Sequence, residues 1–125
     1  MAMSTIELGT NLHGASTRYH ECIEACVECV IACDVCADAC LGESDAAALI
    51  ACIRLDRDCA DICAAAIRVM SRGGPLSAVV CSACADACDA CAAECDKHGA
   101  HHEHCRTCAD ACRKCAAACR SMASH

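Results

Sequence analysis

The chain has 125 residues and a mass of 12.9 kDa, enough for one domain, and its 57% hydrophobic and 22% charged content is that of a folded chain rather than a disordered one. The hydrophobic set holds 19 Cys and 28 Ala but only 24 Val, Ile, Leu, Met and Tyr, with no Phe or Trp, so a conventional core of large side chains is hard to assemble. A net charge of −7 and a pI near 5.3 argue against a nucleic-acid or anionic-membrane partner. The longest apolar run, Ala46 to Ile53, falls far short of the roughly 20 residues a membrane span needs.

The first twenty residues lack a basic start followed by an apolar stretch, so no export signal is readable and a cytoplasmic location is expected. Residues 1–15 read as an N-terminal extension, in which Ser4 to Glu7 fits a capping box and suggests a short helix broken by Gly9 and Gly14. Residues 16–125 carry four helix signals. Ser16 and Thr17 can cap a first helix running to Leu41, with Gly42 placed to end it in the left-handed conformation. Ser44 and Asp45 open a second, which runs to Arg72 and is broken by Gly73, Gly74 and Pro75. Pro75 suits the first turn of a third, closed by Gly99 after His98. The fourth covers about Ala100 to Met122 and is basic near its end at Arg113, Lys114 and Arg120, as the helix dipole favours.

Cysteine spacing is the decisive pattern. The first helix carries Cys22, Cys26, Cys29, Cys33, Cys36 and Cys40; the third carries Cys81, Cys84, Cys88, Cys91 and Cys95; the fourth carries Cys105, Cys108, Cys112, Cys115 and Cys119. Steps of three and four alternate throughout, which keeps every thiol on the one stripe through which bundle helices face each other. The second helix has only Cys52, Cys59 and Cys63. The third and fourth helices repeat the same cysteine and alanine pattern from Cys81 and from Cys105. Short connections between four such helices imply an all-α, antiparallel up-down four-helix bundle with a Cys-lined core.

A few buried cysteines serve elsewhere as small hydrophobes, but here thiols fill the seam of three helices while Leu and Ile sit off it. A disulfide scaffold suits secreted chains, whereas this count is odd and the expected location is reducing. Helix neighbours three or four apart have Cβ atoms about 5–6 Å apart, too far for the roughly 3.5–4.5 Å of a disulfide. The iron–sulfur spacing that Cys22, Cys26 and Cys29 match, and Cys84, Cys88 and Cys91 match again, arises in any helical cysteine seam. The Cys-x-x-Cys pairs lack the strand and helix context of a thioredoxin-like site.

Metals bridged by pairs of sulfurs fit the same separations. With metal–sulfur bonds of about 2.3 Å, a near-linear bridge spans roughly 4–5 Å. Thiolate is the binding form, and uncompensated buried charge is costly. Zinc held by four thiolates leaves two negative charges per ion, whereas one monovalent cation per thiolate leaves a neutral core. Soft sulfur favours Cu(I). The expectation is about one Cu(I) per Cys, with a zinc-buffering, metallothionein-like protein as the alternative.

On these stripes and the unreadable export signal, the chain, from about residue 17 to 122, resembles the cytosolic copper storage proteins, bacterial four-helix bundles filled with Cu(I) on inward-facing cysteines. The resemblance implies a homotetramer, storage rather than catalysis, and a metal entrance at one bundle end with histidine ligands. The second helix departs from a full stripe, because Leu49, Leu55 or Asp56, Ala66 and Met70 stand where thiols would.

Extending the stripes past their last cysteines brings His98 and His101 to the axis at one end, as candidate gate ligands. The cluster they form with His102 and His104 also reads as a solvated loop. At the other end Met70, Met122 and Tyr19 close the lumen, either as a hydrophobic plug or, for the methionines, as thioether ligands. Asp56, if it faces inward, is a hard donor poorly matched to Cu(I). Asp38, Asp86 and Asp110 fall on the solvent face. Ile23, Val27, Val30 and Ile31 on the first helix, with Leu55, Ile62 and Val69 on the second, form a further apolar surface expected to make subunit contacts.

Overall fold

The computed structural model describes residues 19–123, so the N-terminal extension and the Ser16 and Thr17 cap lie outside the described residues. Each cysteine stripe becomes one face of a long helix: α1 (His20–Leu41), α2 (Ile50–Ser71), α3 (Ser77–Asp96) and α4 (Glu103–Ala123). A 3₁₀ turn, Ala46–Leu49, leads into α2. Each helix packs on its neighbours in sequence and α4 returns to α1, giving a square up-down bundle. None of these helices is long and apolar enough to cross a membrane.

Cysteine and alanine together make the interior. All 19 cysteines are buried, and Ala37, Ala60, Ala85, Ala92, Ala109 and Ala116, each directly following a cysteine, are buried with them. A residue next to a seam position points toward the adjoining helix, and a methyl group there lets the helix axes approach closely. The small side chains thus substitute close packing for the missing aromatic volume. Off the seam, Ile23 is buried, and Val27, Val30, Leu55 and Ile62 are half-buried against the core. Part of this stripe therefore packs against the chain's own core, while Ile31 is 59% exposed.

Helix ends differ from the sequence expectation: α3 begins at Ser77, so Pro75 lies ahead of its first turn rather than in it, and three further places differ. Gly42 ends α1 with φ −89°, in the right-handed region, and its N–H reaches Ala39 O at 3.1 Å. Positive φ occurs instead at Gly73 (62°), and a Cβ on Gly74 would come within 3.2 Å of the Val69 carbonyl oxygen, so the second connection is where glycine is required. The third difference is at α4, which begins at Glu103 rather than near Ala100. His101 N–H and His102 N–H both turn back to His98 O, and the ladder of α4 starts from His102 O.

Outside, charges pair between helices. Lys114 of α4 reaches Glu28 of α1 at 2.8 Å, Arg113 reaches Asp96 of α3 as well as Asp110 within its own helix, and Arg120 reaches Asp86 and Asp89 of α3. Solvent-exposed pairs of this kind add little to stability.

Candidate metal centre

Because the stripes of four helices converge, sulfurs meet both along and across the bundle. Across it, Cys63 lies 3.2 Å from Cys84, Cys22 3.4 Å from Cys119, Cys52 3.5 Å from Cys95 and Cys59 3.6 Å from Cys88. Along single helices, Cys29 and Cys33, Cys36 and Cys40, Cys59 and Cys63, and Cys115 and Cys119 are each 3.9 Å apart. All 19 thiols are free, since these gaps far exceed the about 2.0 Å of a sulfur–sulfur bond. Two bonds of about 2.3 Å meeting at 120° place sulfurs about 4.0 Å apart, so small rotamer shifts suffice to bridge a metal between neighbours.

The four-donor groups overlap rather than standing apart. Cys29, Cys33, Cys59 and Cys112 form one, Cys29, Cys59, Cys63 and Cys88 another, and Cys33, Cys91, Cys108 and Cys112 a third, each with donor atoms within 4.8 Å of one another. Shared corners suit bridged ions in a continuous chain better than isolated tetrahedra. At the mouth, burial, with the neighbouring Cys36 charge, pushes the Cys40 thiol up to about 11, and the same two causes raise Cys105, so these two hold their protons until a cation replaces them.

The gaps in the α2 stripe resolve plainly. Asp56, not Leu55, occupies the seam, fully buried, with Leu49, Ala66 and Met70 buried along the same face. Asp56 Oδ1 receives Cys91 at 3.1 Å, Cys108 at 3.3 Å and Cys95 at 3.6 Å, and Cys52 reaches Oδ2 at 3.8 Å. Burial, together with the Cys108 and Cys91 charges, pushes this carboxyl up to about 12, so it is a neutral acid in the metal-free core. At the far end Met70 Sδ sits 3.4 Å from Cys81, and Met122 and Tyr19 are half-buried over the core.

At the other end the histidines are placed differently from expectation. His101 is exposed, in the turn before α4, instead of on the axis. Its four-residue spacing to Cys105 aligns the two only on a continuous helix, and α4 starts two residues too late for that. His98 is half-buried with Nε2 3.0 Å from Glu94. The ring that enters the thiol core is His104, whose Nδ1 lies 3.5 Å from Cys36, 3.6 Å from Cys105 and 3.9 Å from Cys40, completing a four-donor group at the bundle mouth. A signal for it was present: His104 precedes Cys108 by four residues and so shares the α4 stripe. Burial works against its charged form, but the Cys36 and Glu43 contacts outweigh this and hold the ring above its ordinary value. His102 lies between Glu43 and Asp45, and the hydrogen bond to Asp45 raises it as well.

A family model described as copper storage protein matches residues 15–124. A solved structure of copper loading to a cytosolic copper storage protein from Streptomyces lividans, with five coppers, is 47% identical with a TM-score of 0.83, covering 86% of this chain and 92% of that one. The Cu(I)-bound copper storage protein BsCsp3 is 53% identical with a TM-score of 0.79, covering 84% and 98%. A cysteine-rich protein of Bacillus subtilis, YhjQ, is 52% identical over 83 residues, 66% of this chain and 75% of its own length. With its cysteine ladder and with nearly its whole length matched, the chain belongs to the copper storage protein family.

Proposed function

We propose that this protein stores Cu(I) in the cytosol, at about one ion per cysteine, on the 19 inward-facing thiols. One observation carries the reading: buried free sulfurs stand 3.2–4.0 Å apart in overlapping groups along the whole bundle axis. Each thiol exchanges its proton for a monovalent cation and the core stays neutral. The metal-bearing relatives, one described as cytosolic and loaded with five coppers and one as Cu(I)-bound, support the same choice of ion.

Zinc buffering is disfavoured by charge, because tetrathiolate zinc leaves two negative charges on each buried ion, and by the shared corners of the donor groups. Catalysis is disfavoured because the thiols form a graded series of similar environments instead of one differentiated site with an open position. In this reading His104 joins Cys36, Cys40 and Cys105 as the first ligands met by an entering ion, His98 flanks the mouth, and His101 is not a ligand. Exposed Ile31, Val35, Val79 and Leu76 supply apolar surface for a homotetramer.

Anaerobic titration of the reduced protein tests the proposal. Saturation near one Cu(I) per cysteine supports it; tight binding of four or five zinc ions that then blocks further copper would replace it with the buffering alternative.

A further inference from the structure

One carboxylate oxygen at the bundle mouth serves two histidines. Glu43, in the connection between α1 and α2, places Oε2 2.8 Å from His104 Nε2 and 3.0 Å from His102 Nδ1. The two rings stack with centroids 5.3 Å apart, and the other nitrogen of His102 reaches Asp45 at 3.1 Å. The other nitrogen of His104 faces sulfurs alone among the groups named here, at 3.5 Å from Cys36 and 3.6 Å from Cys105.

A neutral imidazole carries its hydrogen on one nitrogen and a lone pair on the other, and the partner of the first decides which nitrogen can take a metal. A carboxylate only accepts hydrogen bonds. Beside Glu43, therefore, Nε2 carries the hydrogen, and the Nδ1 lone pair is left pointing at the thiol group of Cys36, Cys40 and Cys105. With Glu43 absent, nothing at 2.8 Å would favour that tautomer over its alternative, and the ring would lose the anchor that keeps it against α1. His102 steadies the carboxylate from the outside, being itself held by Asp45.

Resting on the Cu(I)-storage reading, we infer that Glu43 is a positioning residue for metal entry: its carboxylate fixes the tautomer and orientation in which His104 Nδ1 receives the first Cu(I) at the mouth.

The experiment compares the wild-type chain with Glu43→Ala and Glu43→Gln, reduced and anaerobic. Long-range proton–nitrogen correlation spectra of the metal-free proteins at pH 8 read the His104 tautomer. Competition with bathocuproine disulfonate reads the affinity for the first equivalent of Cu(I). Full titration reads capacity, and thermal melting checks the fold. The expected result is an Nε2–H tautomer in the wild type, mixed tautomers in Glu43→Ala, a first-ion affinity about 10–100-fold lower, and unchanged capacity. Glu43→Gln, whose amide oxygen can still accept the bond, falls between and covers the case of an unfolded alanine variant. Unchanged tautomer with unchanged affinity overturns the inference, as does a fall in affinity without a tautomer change, which would make the carboxylate a simple attractor of cations. The tautomer arm needs no metal, so it judges Glu43 even if the wild type takes up no Cu(I), a result that would end the storage reading instead.

Discussion

Asp56 Oδ1 lies 3.1 Å from the sulfur of Cys91, fully buried in a core lined mainly by thiols and alkyl groups. Its carboxyl is pushed up to about 12, from an ordinary value of 3.8, by burial and by the Cys108 and Cys91 charges. The folded chain thus keeps a proton that the unfolded chain gives up above pH 4. Where the native state binds more protons, stability falls as pH rises. Asp56 should therefore destabilise the metal-free protein progressively above pH 4, by at most about 1.4 kcal/mol per pH unit. Asp56→Asn, close in shape and neutral throughout, removes that slope. Thermal melts under reducing conditions between pH 5 and 7.5 should show the variant gaining on the wild type as pH increases; parallel curves would mean the carboxyl is ionised in the fold.

The overlapping donor groups make a second prediction about how capacity is lost. Cys29, Cys59 and Cys88 belong to one group, and the first two are shared with a neighbouring group. In a chain of bridged ions each absent sulfur removes about one ion, because the remaining thiolates rearrange their bridges. Single, double and triple serine substitutions at these positions should therefore lower Cu(I) capacity in even steps, about one per substitution. A drop of a whole cluster at the first substitution would show discrete sites instead.

How far the site could be read in advance follows from helix phase. Where a helix is continuous, three- and four-residue steps fix the direction of each side chain, and every cysteine on α1, α3 and α4 is buried as its stripe requires. The phase is lost across the connection of residues 97–102, which is why His101 projects outward while His104, inside α4, meets Cys36. On α2 the sparse thiols left Leu55 and Asp56 as rivals for one seam position, and burial of a carboxylic acid among sulfurs is not something periodicity announces. The apolar run of Ile23, Val27 and Val30 was visible as a stripe. Its destination was not, because a small sulfur and alanine core leaves room at its margin that larger side chains on the same chain fill.

At the mouth, His102 lies between two carboxylates, hydrogen-bonded through Nε2 to Asp45 at 3.1 Å and with Nδ1 at ion-pair distance, 3.0 Å, from Glu43. The Asp45 bond raises His102 above 6.5 and lowers Asp45 below 3.8. A raised imidazole stabilises the fold fully below its unfolded value and ceases to do so as pH climbs through the folded value; a lowered carboxyl contributes above its unfolded value and is lost in acid. Their joint contribution is fully present between about pH 4 and 6.5. Following the ring C–H resonances with pH should place the His102 midpoint above the ordinary imidazole value, and Asp45→Asn should bring it down toward 6.5. A midpoint indifferent to Asp45 would show that this contact does not form in solution.

The far end of the bundle should behave as a plug. Met70 is fully buried, with Sδ 3.4 Å from Cys81, and half-buried Met122 and Tyr19 cover the core there. Leucine matches methionine in volume, and such exchanges cost less than about 1.5 kcal/mol. Truncation to alanine leaves a cavity and costs about 2–5 kcal/mol. If packing is the role of Met70, Met70→Leu retains both the Cu(I) capacity and the loading rate, because His104 serves the opposite end. Met70→Ala loses stability without metal and leaves that end open to solvent, so stopped-flow loading should show entry that no longer slows when His104 is replaced. Loss of an ion from the capacity of Met70→Leu would instead identify the thioether as a ligand, since leucine preserves the volume and removes only the sulfur.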